Sequence, residues 1–165
     1  MAPMWQDTRL AIWVRIDNRL VHGQVIENWL PYCKAKRLIV ANDTLACDEL
    51  QQEIVSLAVS GNVGLVFTPV DKALETYYSL NKVSRPQDLF FLFATCSDAQ
   101  RGYETGLHFK AVNIGNLHYA PGKKQVCEHV ALDQSDRECL RFFQEEGVKL
   151  DFRCVPNKQV QVSLS

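Results

Sequence analysis

No apolar run in the 165-residue chain approaches the ~20 residues that cross a membrane; the run over 10–14 is closed by Arg15 and Asp17. That run also lacks the small-residue cleavage pattern of an export signal, so a cytoplasmic protein is expected. A surplus of charge is missing too. Lys and Arg number 18 against 19 Asp and Glu, a formal net charge of −1. This argues against nucleic-acid binding by bulk electrostatics and leaves room for a small local anion site. The six cysteines Cys33, Cys47, Cys96, Cys127, Cys139 and Cys154 form no C-x-x-C pair. Their spacing fits no zinc or redox motif, and most are expected as small buried hydrophobes. No G-x-G-x-x-G follows a strand, which leaves a dinucleotide site without support. Gly122-Lys123-Lys124 lacks the upstream glycine and the hydroxyl residue of a P-loop. No metal and no organic cofactor is expected.

What the chain does contain is alternation. Hydrophobic residues make up 47% and charged residues 22%, a globular balance that supports a core without staples. Residues 1–8 read as a short tail and 9–165 as a single domain. Apolar strands are expected over 10–16, 37–41, 64–68, 89–95 and 111–114, with a half-exposed last strand over 148–154. Helices are expected between them. One runs from near His22 to about Pro31, and a second is opened by Asp48, with Leu50, Ile54, Leu57 and Ala58 as its apolar stripe. A third carries Val70, Ala73, Leu74, Tyr77 and Tyr78. Ser97 is expected to cap a fourth, and Ser135-x-x-Glu138 to open a last one as a capping box. Residues 115–125 read as a loop. The sum is a single three-layer α/β/α domain, a mainly parallel sheet of about six strands with helices on both faces. Open sheets of this kind bind ligands beyond the carboxyl ends of their strands. The turns after the first and fifth strands therefore carry the functional weight.

The first of those turns reads Arg15-Ile16-Asp17-Asn18-Arg19-Leu20-Val21-His22-Gly23-Gln24. A histidine thus stands at a helix start, with an arginine three residues before it. Helix N-terminal amides and the dipole favour an anion. A guanidinium adds two charge-assisted bonds to a phosphate, and Gly23 permits close approach. Positive surroundings favour a neutral His22 imidazole, which is what a phosphohistidine needs. Spacing alone equally allows a histidine packed at a helix start beside a solvated arginine.

The string RIDNRLVHGQV resembles the signature of the B subunits (IIB components) of the mannose/fructose/sorbose-type sugar phosphotransferase system at eleven consecutive positions. LIVANDTLACDE, FLFATCSDAQRGYETGL, VNIGNLHYAPGKKQV and GVKLDFRCVPN resemble later segments of that family in order, over about residues 10–160. The resemblance implies that His22 takes a phosphoryl group on Nδ1 from the phosphohistidine of a IIA component. It then passes the group to a sugar brought in by the IIC and IID membrane components. Arg19, Gly23 and Gln24 are implied as the phosphate site, with Arg15, Asp17, Asn18, Asn116 and His118 in support. A carboxylate facing a phosphate repels it, so Asp17 is expected to orient Arg15 or Arg19, or to bond backbone at the turn. Asn18 stands where many members have Asp, and Asn116 where glycine is commoner; asparagine is expected there as a substitute in left-handed backbone. The loop also offers Lys123 and Lys124, which read equally as solvated, while His108 and His129 read as structural or exposed. A regulatory phosphohistidine module without sugar transfer, or a small-molecule binder without phosphoryl chemistry, remain open alternatives. So does a homo-oligomer.

Overall fold

A computed structural model describes residues 8–164; the tail expected over 1–8 falls, apart from Thr8, outside the described residues. Six strands form one parallel sheet: β1 (Trp13–Asp17), β2 (Arg37–Ala41), β3 (Gly64–Thr68), β4 (Leu89–Phe93), β5 (Ala111–Asn116) and β8 (Lys149–Asp151). Their order is β3-β2-β4-β1-β5-β8. β3 and β4, and β2 after Arg37, are apolar or β-branched runs, as strands covered on both faces require, whereas β1 carries Arg15 and Asp17 and β5 carries Asn113 and Asn116. In β4 all five residues are buried. Phe91 and Phe93 join one core with Ile16 and Ile114, while Phe90 and Leu92 join the other with Val25, Trp29 and Leu38.

Helices cover the faces. A π-helical turn, Val25–Trp29, runs into α1 (Leu30–Cys33), which ends at left-handed Lys34. Next come α2 (Asp43–Ala46), α3 (Glu49–Ala58), α4 (Ala73–Leu80), α5 (Cys96–Glu104) and α6 (Gln134–Glu145). The expected three-layer parallel architecture is what the chain adopts.

Several local expectations need correction. The apolar stripe of α3 does not face inward: Leu50 and Ile54 are exposed, and Leu57 is 88% exposed. A short helix, α2, follows β2 directly, capped by the Asn42 side chain, and α3 packs beside it. Thr95, not Ser97, caps α5 through its hydroxyl and the Asp98 amide. Asp133 and Asp136 form the capping box of α6, and the Ser135 hydroxyl merely donates to Asp133. The last strand stops at Asp151 because Arg153 turns back, its amide and guanidinium both donating to the Asp151 carboxylate. Within the expected loop, Lys124 already begins the antiparallel hairpin of β6 (Lys124–Cys127) and β7 (Val130–Leu132). Cys33, Cys96, Cys139 and Cys154 are buried, Cys47 is exposed, and all six cysteines are free thiols. No helix of the described residues is long and apolar enough to cross a membrane.

Candidate functional site

Strand β1 lies between β4 and β5, so its carboxyl end opens beside that of β5, with Asp17 in register opposite Asn116. The strand ends in a tight turn in which the Leu20 amide donates to the Asp17 carbonyl over 2.9 Å. Leu20 has φ 55°, a left-handed conformation costing a non-glycine residue ~1–2 kcal/mol. Its side chain and that of Val21 pack against the second core, which offsets that strain. The turn delivers His22 to the start of the helical segment, whose Ile26 amide donates to the His22 carbonyl.

The His22 ring is held from both sides. Its Nε2 lies 2.7 Å from Asp17 Oδ2, and its Nδ1 lies 2.9 Å from Arg19 Nη2. An ionised carboxylate only accepts and a guanidinium only donates. The two partners therefore fix one tautomer: Nε2 carries the proton, and Nδ1 presents its lone pair on the side of Arg19. The His22 side chain is 14% exposed and Arg19 is exposed, so this face of the ring is reachable.

Asp17 is the hub. Besides His22, its Oδ2 accepts from Arg15 Nη2 at 2.9 Å and Asn116 Nδ2 at 2.9 Å, and its Oδ1 accepts the Arg19 amide at 3.0 Å. Burial pushes the Asp17 carboxyl up, but the bonds from His22 and Asn116 and the charge of Arg15 outweigh it and hold the group below the usual carboxylate range. Arg15 is fully buried. Desolvation draws its guanidinium below the ordinary value, against the opposing charge of Asp17. It donates to Asn113 Oδ1 and stands 5.1 Å from the Trp29 ring centroid, a cation–π contact in a desolvated site. Gly115 makes the room. A Cβ there would lie 1.9 Å from Arg15 Cζ, so no side chain fits while Arg15 keeps its place.

Beside Arg19, Gln24 and Asn116 lies a cleft of about 390 Å³. It is lined by Arg19, Gln24, Asn116, Leu117, His118, Tyr119, Gln125, Glu128 and His129.

The sequence matches the model of the PTS system sorbose subfamily IIB component over residues 11–163. The chain belongs to this family. It is 35% identical to the N-acetylgalactosamine-specific phosphotransferase enzyme IIB component 1 of Escherichia coli K12, over 88% of this chain and 90% of that one. The crystal structure of the IIBSor domain of the sorbose permease from Klebsiella pneumoniae superposes with a TM-score of 0.82 at 31% identity, covering 92% of each chain. The mannose-specific EIIAB component of E. coli K12 is 30% identical over 93% of this chain, which spans 47% of that longer protein. IIB components of this family are sugar-specific phosphotransferases.

In this IIB component the expected residues divide. Asp17 does bond Arg15 and the turn backbone, as anticipated, but it also touches His22, which sequence reasoning did not foresee. Arg15 is sealed beneath the site, and Asn18 is exposed, bonding Asn116 through its backbone amide. Asn116 is not a glycine substitute in left-handed backbone; positive φ occurs only at Leu20 and Lys34 among the described non-glycine residues. It is the last residue of β5, and its amide donates to both Asp17 and Gln24 Oε1. Lys123 is drawn away to Asp136, Lys124 is exposed on the hairpin, and His108 stacks on Tyr103. His129, set aside as structural or exposed, lines the cleft. Asn113 and Gly115 were missed. The signal was a polar residue and a glycine inside the otherwise apolar run AVNIGN.

Proposed function

We propose that this IIB component carries a phosphoryl group on Nδ1 of His22, received from the phosphohistidine of a IIA component and passed to a sugar held by IIC and IID membrane components. The single observation that carries the reading is the ring's double anchoring, carboxylate at Nε2 and guanidinium at Nδ1. The lone pair on Nδ1 attacks phosphorus, the donor's N–P bond breaks, and the donor ring keeps that electron pair. His22 loses no proton in this step. Phosphorylated at Nδ1 and protonated at Nε2, its ring becomes cationic, and the Asp17 carboxylate at 2.7 Å stabilises that charge. Arg19, which is exposed, transfers its donors from Nδ1 to the phosphoryl oxygens. The first-turn amides at Gly23 and Gln24 add donors, since such groups have no partner within a helix. Charge thus explains why Asp17 does not repel the phosphate: it faces the opposite edge of the ring.

Support for a IIA donor comes from the mannose-specific relative, whose name joins A and B in one protein. The test is intact mass after incubation with phosphoenolpyruvate, the two general phosphotransferase proteins and a matching IIA component. One acid-labile phosphoryl group, absent in His22→Ala, is the expected result; no gain with any of several IIA components overturns the reading.

A further inference from the structure

The parallel sheet has two edges, and only one of them is guarded. β8 is three residues long, and Val160, Val162 and Leu164 of the last segment pack beside its Lys149 and Leu150. β3 forms the other edge, and among the described residues no strand lies beyond it. Its sequence GLVFT contains no charge and no proline, the features that keep an edge from pairing with another chain. Four of its five residues are only half-buried, and Phe67 lines a cleft with Leu50 and Ile54 of α3.

The inner bonds of β3 show where its free backbone groups point. The Gly64 amide donates to the Lys36 carbonyl over 2.9 Å, and the Thr68 carbonyl accepts the Asn42 amide over 3.0 Å. Successive residues of a strand turn their peptide groups to opposite sides, so Gly64, Val66 and Thr68 face β2. The amides and carbonyls of Leu65 and Phe67 therefore face outward. A two-fold axis at Val66 satisfies all of them at once. Antiparallel pairing about it sets Leu65 opposite the partner's Phe67, and Phe67 opposite the partner's Leu65, each pair exchanging both N–H···O bonds. Side chains keep their faces in this register, and Leu65 and Phe67 lie on the same one, against the second core. Gly64 then stands opposite the partner's Thr68.

Charge fits the same axis. The Arg37 side chain lies over Gly64, where a Cβ would stand. Arg37 thus reaches from β2 across the edge strand, and its guanidinium has no hydrogen bond or ion pair among the described residues. The carboxyl end of the edge is acidic. Asp71 follows three residues after Thr68, and the exposed Asp43 and Asp71 share a single arginine, Arg101. The two-fold sets the basic end of one copy against the acidic end of the other.

We propose that β3 is the dimerisation edge of this chain, pairing antiparallel with β3 of a second copy about Val66, with Arg37 bound to the partner's Asp71. Two six-stranded sheets become one, in the closed two-fold form commonest among oligomers. The His22 site stays open, because β2 and β4 stand between β3 and β1, three spacings of ~4.8 Å. The dimer holds whether or not His22 carries a phosphoryl group.

Sedimentation velocity of the full chain from micromolar to millimolar, with amide hydrogen exchange on the same samples, tests this. Wild type is expected to pass from monomer to dimer, with exchange at Leu65 and Phe67 slowing as the dimer fills. Leu65→Pro removes an outward amide without touching the bonds to β2 and is monomeric throughout. Arg37→Glu and Asp71→Lys each set like charges together and raise the dissociation constant ~10²-fold. Mixed, these two restore the dimer, because each altered side chain then meets the opposite charge. Should Leu65→Pro not fold, the charge pair decides alone. A wild-type chain that stays monomeric to millimolar overturns the inference, as it does if the two amides slow only with membranes carrying IIC and IID. A dimer that none of the three variants weakens, or single variants that stay monomeric when mixed, overturns it as well.

Discussion

The carboxylate of Asp17 lies 2.7 Å from Nε2 of His22, on the edge of the ring opposite the nitrogen that meets Arg19. One buried acid thereby fixes the tautomer of the candidate nucleophile and supplies the counter-charge for its modified form. Asp17→Asn keeps the shape and loses both. Charging of His22 by IIA is expected to slow by ~10²-fold or more, measured by quenched-flow mass analysis.

The same substitution bears on stability. Arg15 is fully buried, and removing its counter-charge leaves an uncompensated cation, an effect worth ~3–5 kcal/mol. Asp17 is held below the usual carboxylate range. Its contribution is therefore complete above the unfolded value and fades as pH falls through the lower folded value. The Tm gap between wild type and Asp17→Asn is expected to be constant from pH 7 to about 5 and to narrow below about pH 4.

Two glycines of the site are expected to behave oppositely. A Cβ on Gly115 would strike Arg15, whereas one on Gly23 meets nothing within 4 Å. Gly115→Ala drives Arg15 off Asp17 and is expected to lower stability by several kcal/mol, about 3–5 as for any broken buried pair. Gly23→Ala is expected to fold at least as well as wild type, gaining up to about 1 kcal/mol. It should nonetheless charge more slowly, because its methyl stands where the phosphoryl donor approaches. Denaturant unfolding and charging rate, measured on the same samples, check both.

Helix α3 gives a contrast of another kind. Leu57 is 88% exposed, whereas Leu140 on α6 is wholly buried. Leu57→Gln is expected to change stability by no more than about 0.5 kcal/mol, and Leu140→Ala to cost ~2–5 kcal/mol. Equal losses in urea titrations would mean that α3 packs inward after all.

Much of this was legible in the chain. Strands 37–41 and 64–68 stand where short apolar runs bounded by polar residues placed them, because runs of that length and composition favour strands. RIDNRLVHGQV located the first turn, and the β1–β5 pairing brought Asn116 to it. What could not be read was anything that depends on side-chain approach across the sheet. The reach of Asp17 to His22 depends on a left-handed Leu20, which no residue preference announces. The outward stripe of α3 was equally hidden, since periodicity alone does not say which way a stripe points. That His129 lines a cleft with Asn116 could not be read either, because the two become neighbours only when the hairpin folds back on β5.

The most direct measurement is long-range 1H–15N NMR of His22 in the free and the phosphorylated chain. Expected is an unprotonated Nδ1 and protonated Nε2 before charging, then phosphorus coupling to Nδ1 with the Nε2 proton retained. Phosphorus on Nε2, or on any residue other than His22, would contradict the roles given to Asp17 and Arg19.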